Sequence, residues 1–160
     1  MTEHVVDISC STESVDEEPE PQQIVDWLKN ALFLLDCDRS AVSVRIVSAE
    51  EMRSLNRRYS ERDKATNVLS FSSGVKAEGR LFLGDIVICD ALVRKEAGDF
   101  NKPVKDRYAH MVVHGLLHLL GYDHSKLEDQ KKMEALEKSL LASLNIHDPY
   151  EQTDSVTEKM

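Results

Sequence analysis

At 160 residues the chain has the length of one domain built round a single core. With 41% apolar and 31% charged residues it is neither a disordered chain, a collagen-like repeat nor a coiled coil. The net charge of −9 conceals an uneven distribution. Residues 1–38 carry ten acids and one lysine, 39–107 fourteen bases and ten acids, and 108–160 five lysines and nine acids.

The uncharged run that includes Met111 to Tyr122 falls well short of the roughly 20 residues that span a bilayer, so no transmembrane helix is expected. The opening Met-Thr-Glu-His lacks a basic head and apolar run, which makes the cytoplasm the expected address. Cys10, Cys37 and Cys89 are odd in number and include no C-x-x-C pair; reduced, buried small hydrophobes are expected.

In chain order, His4 to Ser9 alternates like a short strand, and residues 10–22 form an acidic loop rich in Ser, Thr, Pro and Glu. Ile24, Val25, Trp27, Leu28, Leu32 and Leu35 recur at helical spacing, predicting an amphipathic helix over 22–35 with Trp27 in the core. Val42 to Val47 reads as a strand and Ala49 to Tyr59 as a helix. Asn67 to Ser72 and Leu81 to Cys89 are apolar, β-branched runs joined by a turn containing Gly74 and Gly79, which suits a hairpin. Helical signals then cover Ala91 to Ala97, Val104 to Leu120 closed by Gly121, and Leu127 to Leu144 with Met133, Leu136, Leu140 and Leu144 in register. The expectation is a single α/β (α+β) domain over 1–149, a small mixed sheet of about four strands with about five helices, and a polar tail over 150–160. No phosphate-binding GxxxxGK[ST] loop and no GxGxxG occurs.

Four of the six histidines lie in His110 to His124, HMVVHGLLHLLGYDH. His114 and His118 are four apart, which on a helix sets both imidazoles on one face about 6 Å apart along the axis. Gly121 can take the left-handed conformation that ends a helix and turn His124 back as a third nitrogen ligand. Three neutral imidazoles suit one Zn²⁺ with water in the open fourth position. The alternative, three structural core histidines, leaves several buried ring nitrogens to satisfy at about 1–3 kcal/mol each. His110, one turn earlier, is expected behind the ligands or in the core rather than as a fourth ligand.

The spacing H-x-x-x-H-x-x-G-x-x-H is also that of metzincin proteases, whose glutamate general base directly follows the first histidine. Here that position is Gly115, so the zinc protease reading keeps its metal and loses its base. Zinc can still activate its water and polarise a phosphoryl oxygen, and RNA brings its own 2′-hydroxyl. Arg53, Arg57, Arg58, Arg62 and Lys64 fall within a dozen positions and suit a phosphate backbone if they share a face; the alternative is a solvated helix face.

HGLLHLLGYDH, with TNVLSF (Thr66 to Phe71) and LGDIVIC (Leu83 to Cys89) before it, resembles the bacterial YbeY endoribonuclease family from about Val42 to Tyr150. The resemblance implies one zinc held by His114, His118 and His124 and single-strand-specific RNA cleavage. It further implies a role in ribosomal RNA maturation, chiefly at the 3′ end of the small-subunit RNA, and in ribosome quality control. Implied partners are the small ribosomal subunit, one of its proteins and an Era-type GTPase.

The family's functional arginine falls on Ser60, and serine cannot match a guanidinium at phosphate or at developing charge. Arg62 and Arg58, two positions to either side, are the candidates to supply it; for each the alternative is an exposed surface arginine. Asp85 is a candidate to orient a ligand or assist proton transfer, against the commoner role of a strand-end aspartate. The expected function is a zinc-dependent endoribonuclease with Arg57, Arg58, Arg62 and Lys64 holding the RNA backbone and Arg62 and Asp85 as candidate catalytic groups. The alternatives are a zinc protease and a non-catalytic ribosome assembly factor with structural zinc.

Overall fold

The computed structural model describes residues 4–11, 19–60, 66–122, 125–146 and 148–150. Its elements are β1 (Val5–Cys10), α1 (Pro21–Leu34), β2 (Ser40–Val47), α2 (Ala49–Ser60), β3 (Val68–Ala77), β4 (Arg80–Cys89), α3 (Asp90–Asp99), α4 (Val104–Leu119) and α5 (Leu127–Ala142). The strands form one mixed sheet in the order β1-β2-β4-β3. β1, β2 and β4 run parallel, and β3 lies antiparallel at the edge beside β4. The small α/β domain expected from the sequence is therefore the one observed.

Alternation along the strands decides which helices cover which face. Val42, Val44, Ile46, Ile86 and Ile88 point into the main core with α1 and α4, whereas Val47, Val87 and Cys89 point the other way, against Met52 of α2. Each aliphatic side chain so buried contributes about 1.5–3 kcal/mol. Trp27, Leu28 and Leu32 bring α1 onto the first face as its periodicity predicts.

α4 is the central helix. From Tyr108 to Leu119 every residue is buried except His114 and His118. A helix apolar nearly all round must be enclosed, and here β3, β4, α1, α3 and α5 enclose it. The two half-exposed histidines mark where that enclosure opens.

The β3–β4 hairpin departs from the expected single turn spanning Gly74 to Gly79. Glu78 and Gly79 both have positive φ, 55° and 74°, and alone connect the strands; two left-handed residues match the sheet's twist. Gly74, φ 65°, instead sits within β3, where the pairing shifts register between Ser72 and Val75. The cysteines also divide: Cys89 is buried, Cys37 half-buried and Cys10 exposed, so the buried-hydrophobe expectation fails for Cys10, at the end of edge strand β1. Burial pushes the thiols of Cys37 and Cys89 up.

Candidate metal centre

α4 ends as its glycine predicts. Gly121, φ 98°, lets its own N–H donate to the His118 carbonyl and the Tyr122 N–H donate to the Leu117 carbonyl, the paired bonds of a left-handed helix stop. The last full turn is thereby fixed, and His118 with it. His114 and His118 face each other with ring centroids 4.7 Å apart and their Nε2 atoms 3.2 Å apart.

Two imidazole nitrogens at that distance need a proton or a cation between them, because bare lone pairs repel. A tetrahedral Zn²⁺ with bonds of about 2.0–2.1 Å sets two ligand nitrogens about 3.3–3.4 Å apart, close to the separation found. Donor type and spacing thus both fit a metal. The pair opens into a groove lined also by Thr66, Asn67, Val68, Leu69, Ser70 and Ser72. Edge strand β3 forms its wall, tied to α4 by the Ser70 hydroxyl, which donates to the Gly115 carbonyl at 3.1 Å.

Behind the pair lies Glu137 of α5, with none of its surface exposed. Its Oε2 is 2.5 Å from His114 Nδ1; its Oε1 is 3.3 Å from His110 Nε2 and also accepts from the Tyr150 hydroxyl. Arg107 Nη1 lies 3.2 Å from His110 Nδ1. A guanidinium can only donate, so Nδ1 of His110 accepts and its Nε2–H donates to Glu137. The chain of bonds continues, Arg107 to Glu96 at 2.8 Å and Glu96 to the Asn67 side-chain amide at 3.2 Å, and so returns to the groove wall. Burial by itself would raise the Glu137 carboxyl, but hydrogen bonds from His110, His114 and Tyr150 outweigh it and hold the group at about 2. The same carboxylate, after burial, drives the Tyr150 hydroxyl far up, keeping it a donor.

His110, His114 and Glu137 offer ligand atoms within 4.8 Å of one another and could hold a metal ion. Glu137 meets His114 at Nδ1, whereas His118 approaches it at Nε2, on the groove side.

Gly115 has a structural reason to be glycine. A Cβ there would lie 2.8 Å from Ile86 Cγ2 and 3.2 Å from Ser70 Oγ. The position of the metzincin glutamate is thus pressed against β3 and β4, with no room for a side chain. Among the described residues lining the groove there is no carboxylate.

Of the other site residues expected from the sequence, His124, Arg62 and Lys64 lie outside the described residues. Arg57 and Arg58 are exposed in the last turn of α2, Arg58 6.0 Å over the Tyr59 ring and Tyr59 edge-on to Phe71 of β3. The basic turn therefore flanks the strand that walls the groove. Asp85 is not brought to the histidines. Its neighbour Ile86 points toward α4, so Asp85 points to the opposite face, into a separate groove with Val5, Asp7 and Phe82. His110 is buried, within the grouping with His114 and Glu137. Glu137 and Tyr150 were not anticipated. Glu137 falls on the buried stripe of α5 with Met133 and Leu140, and a carboxylate in such a stripe is a readable signal. Tyr150, assigned to the tail, has no comparable signature.

Known proteins share this chain's sequence and fold. The family profile of endoribonuclease YbeY matches residues 6–145. The chain is similar to the endoribonuclease YbeY of Cellvibrio japonicus, 44% identical over 95% of this chain and 86% of that protein. It is likewise similar to that of Halorhodospira halophila, 45% identical over 84% and 89%. In fold it resembles a Thermotoga maritima protein of known solution structure, with a TM-score of 0.58 at 24% identity over 92% of this chain and all of that one. The profile match over residues 6–145 and relatives 44–45% identical over most of the chain show that this protein belongs to the YbeY endoribonuclease family.

Proposed function

We propose that this chain is a zinc-dependent endoribonuclease that cuts single-stranded RNA during ribosomal RNA maturation, with the metal held at the groove by His114, His118 and His124. The observation that carries this reading is the Nε2 pair of His114 and His118, 3.2 Å apart where an RNA strand can reach it. The interior grouping with Glu137 suits substrate poorly, since Glu137 is fully buried and both its oxygens already accept hydrogen bonds. Bound zinc supplies Lewis acidity at a phosphoryl oxygen and lowers the pKa of the attacking group.

The chain's own residues would hold and orient the strand. The Ser70, Ser72 and Thr66 hydroxyls and the Asn67 amide line the groove and can bond phosphate or ribose oxygens. Arg57 and Arg58, with Arg62 and Lys64, attract the backbone across the β3 edge, offsetting an overall acidic chain by local charge. The attacking group is either a water or the 2′-hydroxyl that RNA itself supplies. The small ribosomal subunit, one of its proteins and an Era-type GTPase are the proposed partners and the cytoplasm the proposed location; no helix among the described residues is long and apolar enough to cross a membrane.

The test is cleavage of a labelled single-stranded RNA by zinc-loaded protein beside an identically purified His114→Ala variant. Cleavage by the wild type alone supports the reading. Equal cleavage by both, or none by a wild type that holds zinc, refutes it.

A further inference from the structure

We propose that Glu137 is a positioning residue for the metal: its buried carboxylate accepts the Nδ1–H of His114, which sets the ring's lone pair on Nε2, the nitrogen on the His118 side. The inference rests on the reading that the metal sits between His114 and His118. It assigns Glu137 a role other than ligand.

The geometry argues for this in three steps. An imidazole has one lone pair when neutral, and which nitrogen carries it depends on the partner of the other. With Nδ1 2.5 Å from a carboxylate oxygen, the proton of His114 resides on Nδ1 and its lone pair on Nε2. That is the nitrogen 3.2 Å from His118 Nε2. Secondly, Glu137 cannot turn away from this task. Its other oxygen is held by the Tyr150 hydroxyl and by His110, whose own ring is fixed by Arg107. Thirdly, α5 places a fully buried carboxylate between Met133 and Leu140, where an apolar residue would pack without desolvating a charge. A carboxylate placed there and supplied with three donors makes sense as a support for His114. Carboxylates behind metal-bound imidazoles characteristically raise ligand basicity and fix ring orientation, and their loss costs 10–100-fold in metal affinity.

The same arrangement gives the chain segment at Pro149–Tyr150 a part in metal affinity. Tyr150 reaches Glu137 from outside every helix and strand, so the metal centre is braced by a residue beyond the last helix.

The experiment is a zinc affinity series on the full chain by competition with a chromogenic chelator, using wild type, Glu137→Gln, Tyr150→Phe and His118→Ala. Glutamine keeps the volume of Glu137 and an oxygen for the His114 N–H but removes the charge. The expected result is a 10–100-fold weaker zinc affinity for Glu137→Gln, about fivefold weaker for Tyr150→Phe, and more than 100-fold weaker for His118→Ala. The Co²⁺-loaded Glu137→Gln protein should retain the tetrahedral absorption band, because no ligand has been lost. Tyr150→Phe, which removes only a hydroxyl outside the helices, keeps the inference testable if the buried substitution disturbs folding.

Two results overturn it. A folded Glu137→Gln protein with zinc affinity within twofold of wild type makes Glu137 a packing residue. Loss of the Co²⁺ band in Glu137→Gln together with its retention in His118→Ala makes Glu137 a direct ligand. Neither outcome depends on RNA cleavage, so a protein that binds zinc yet cuts no RNA sinks the proposed function and leaves this inference standing.

Discussion

Two grooves open on opposite faces of the sheet, one of about 510 Å³ at His114 and His118 and one of about 350 Å³ at Asp7 and Asp85. Size does not separate them; both are shallow and both carry groups able to do chemistry. They differ in what stands behind those groups. His114 is backed by a fully buried carboxylate, itself braced from His110 and Tyr150, whereas Asp7 and Asp85 project from strands directly into solvent. A residue held from behind keeps one orientation and one tautomer, which a catalytic or ligating group needs. An exposed carboxylate on a strand is not so constrained.

The contrast is broken most severely by removing the pair. His114→Ala or His118→Ala should lose zinc by more than 100-fold, since a ligand outweighs the support behind it, and cleavage should fall with it; metal analysis and a gel time course read both. Next in size is Gly115→Glu, which restores the residue a metzincin carries. A carboxylate forced against Ile86 and Ser70 should lower unfolding stability by more than about 3 kcal/mol in denaturant titration. A stable variant that cleaves casein would revive the protease reading.

Acid titration sharpens the comparison further. The folded Glu137 group is held at about 2 against an ordinary 4.5. A depressed folded value stabilises above the unfolded pKa, and that stabilisation drains away as pH falls through the folded one. Unfolding stability of the metal-free wild type should therefore drop between pH 4.5 and 2, and that drop should be shallower in Glu137→Gln, which gains no proton. Smaller still is Arg57→Ala with Arg58→Ala: RNA affinity falls a few-fold and the slope of log K against log salt shrinks by about 0.7 per charge removed. Smallest is Asp85→Ala, which should leave cleavage by the purified protein within twofold of wild type.

Much of this was legible in the sequence. Period-two and helical apolar patterns placed the strands and helices, because one face of each is buried and selection of that face leaves a regular trace. The histidine spacing marked α4, and Gly121 marked where it stops. Three things were less readable. The hairpin turn is narrower than its glycines suggest, because Gly74 and Gly79 look alike in sequence, whereas one makes a register shift and the other a two-residue turn. Asp85 looked like a site residue because its side of the sheet depends on the face taken by Ile86, fixed only when α4 docks. The partners of Glu137 leave no trace in the sequence, because His114 lies 23 residues away and Tyr150 13, on separate segments that only tertiary packing brings together.

The proposed function requires that the groove-facing histidine pair hold the metal on which RNA cleavage depends. The most direct measurement is the cleavage rate of a labelled single-stranded RNA by protein stripped of metal, then restored with one equivalent of Zn²⁺, beside His118→Ala treated identically. Stripped wild type should be inactive, zinc should restore it, and His118→Ala should stay inactive at the same zinc concentration. Cleavage by the stripped protein, or equal rescue of His118→Ala, would contradict the proposed function.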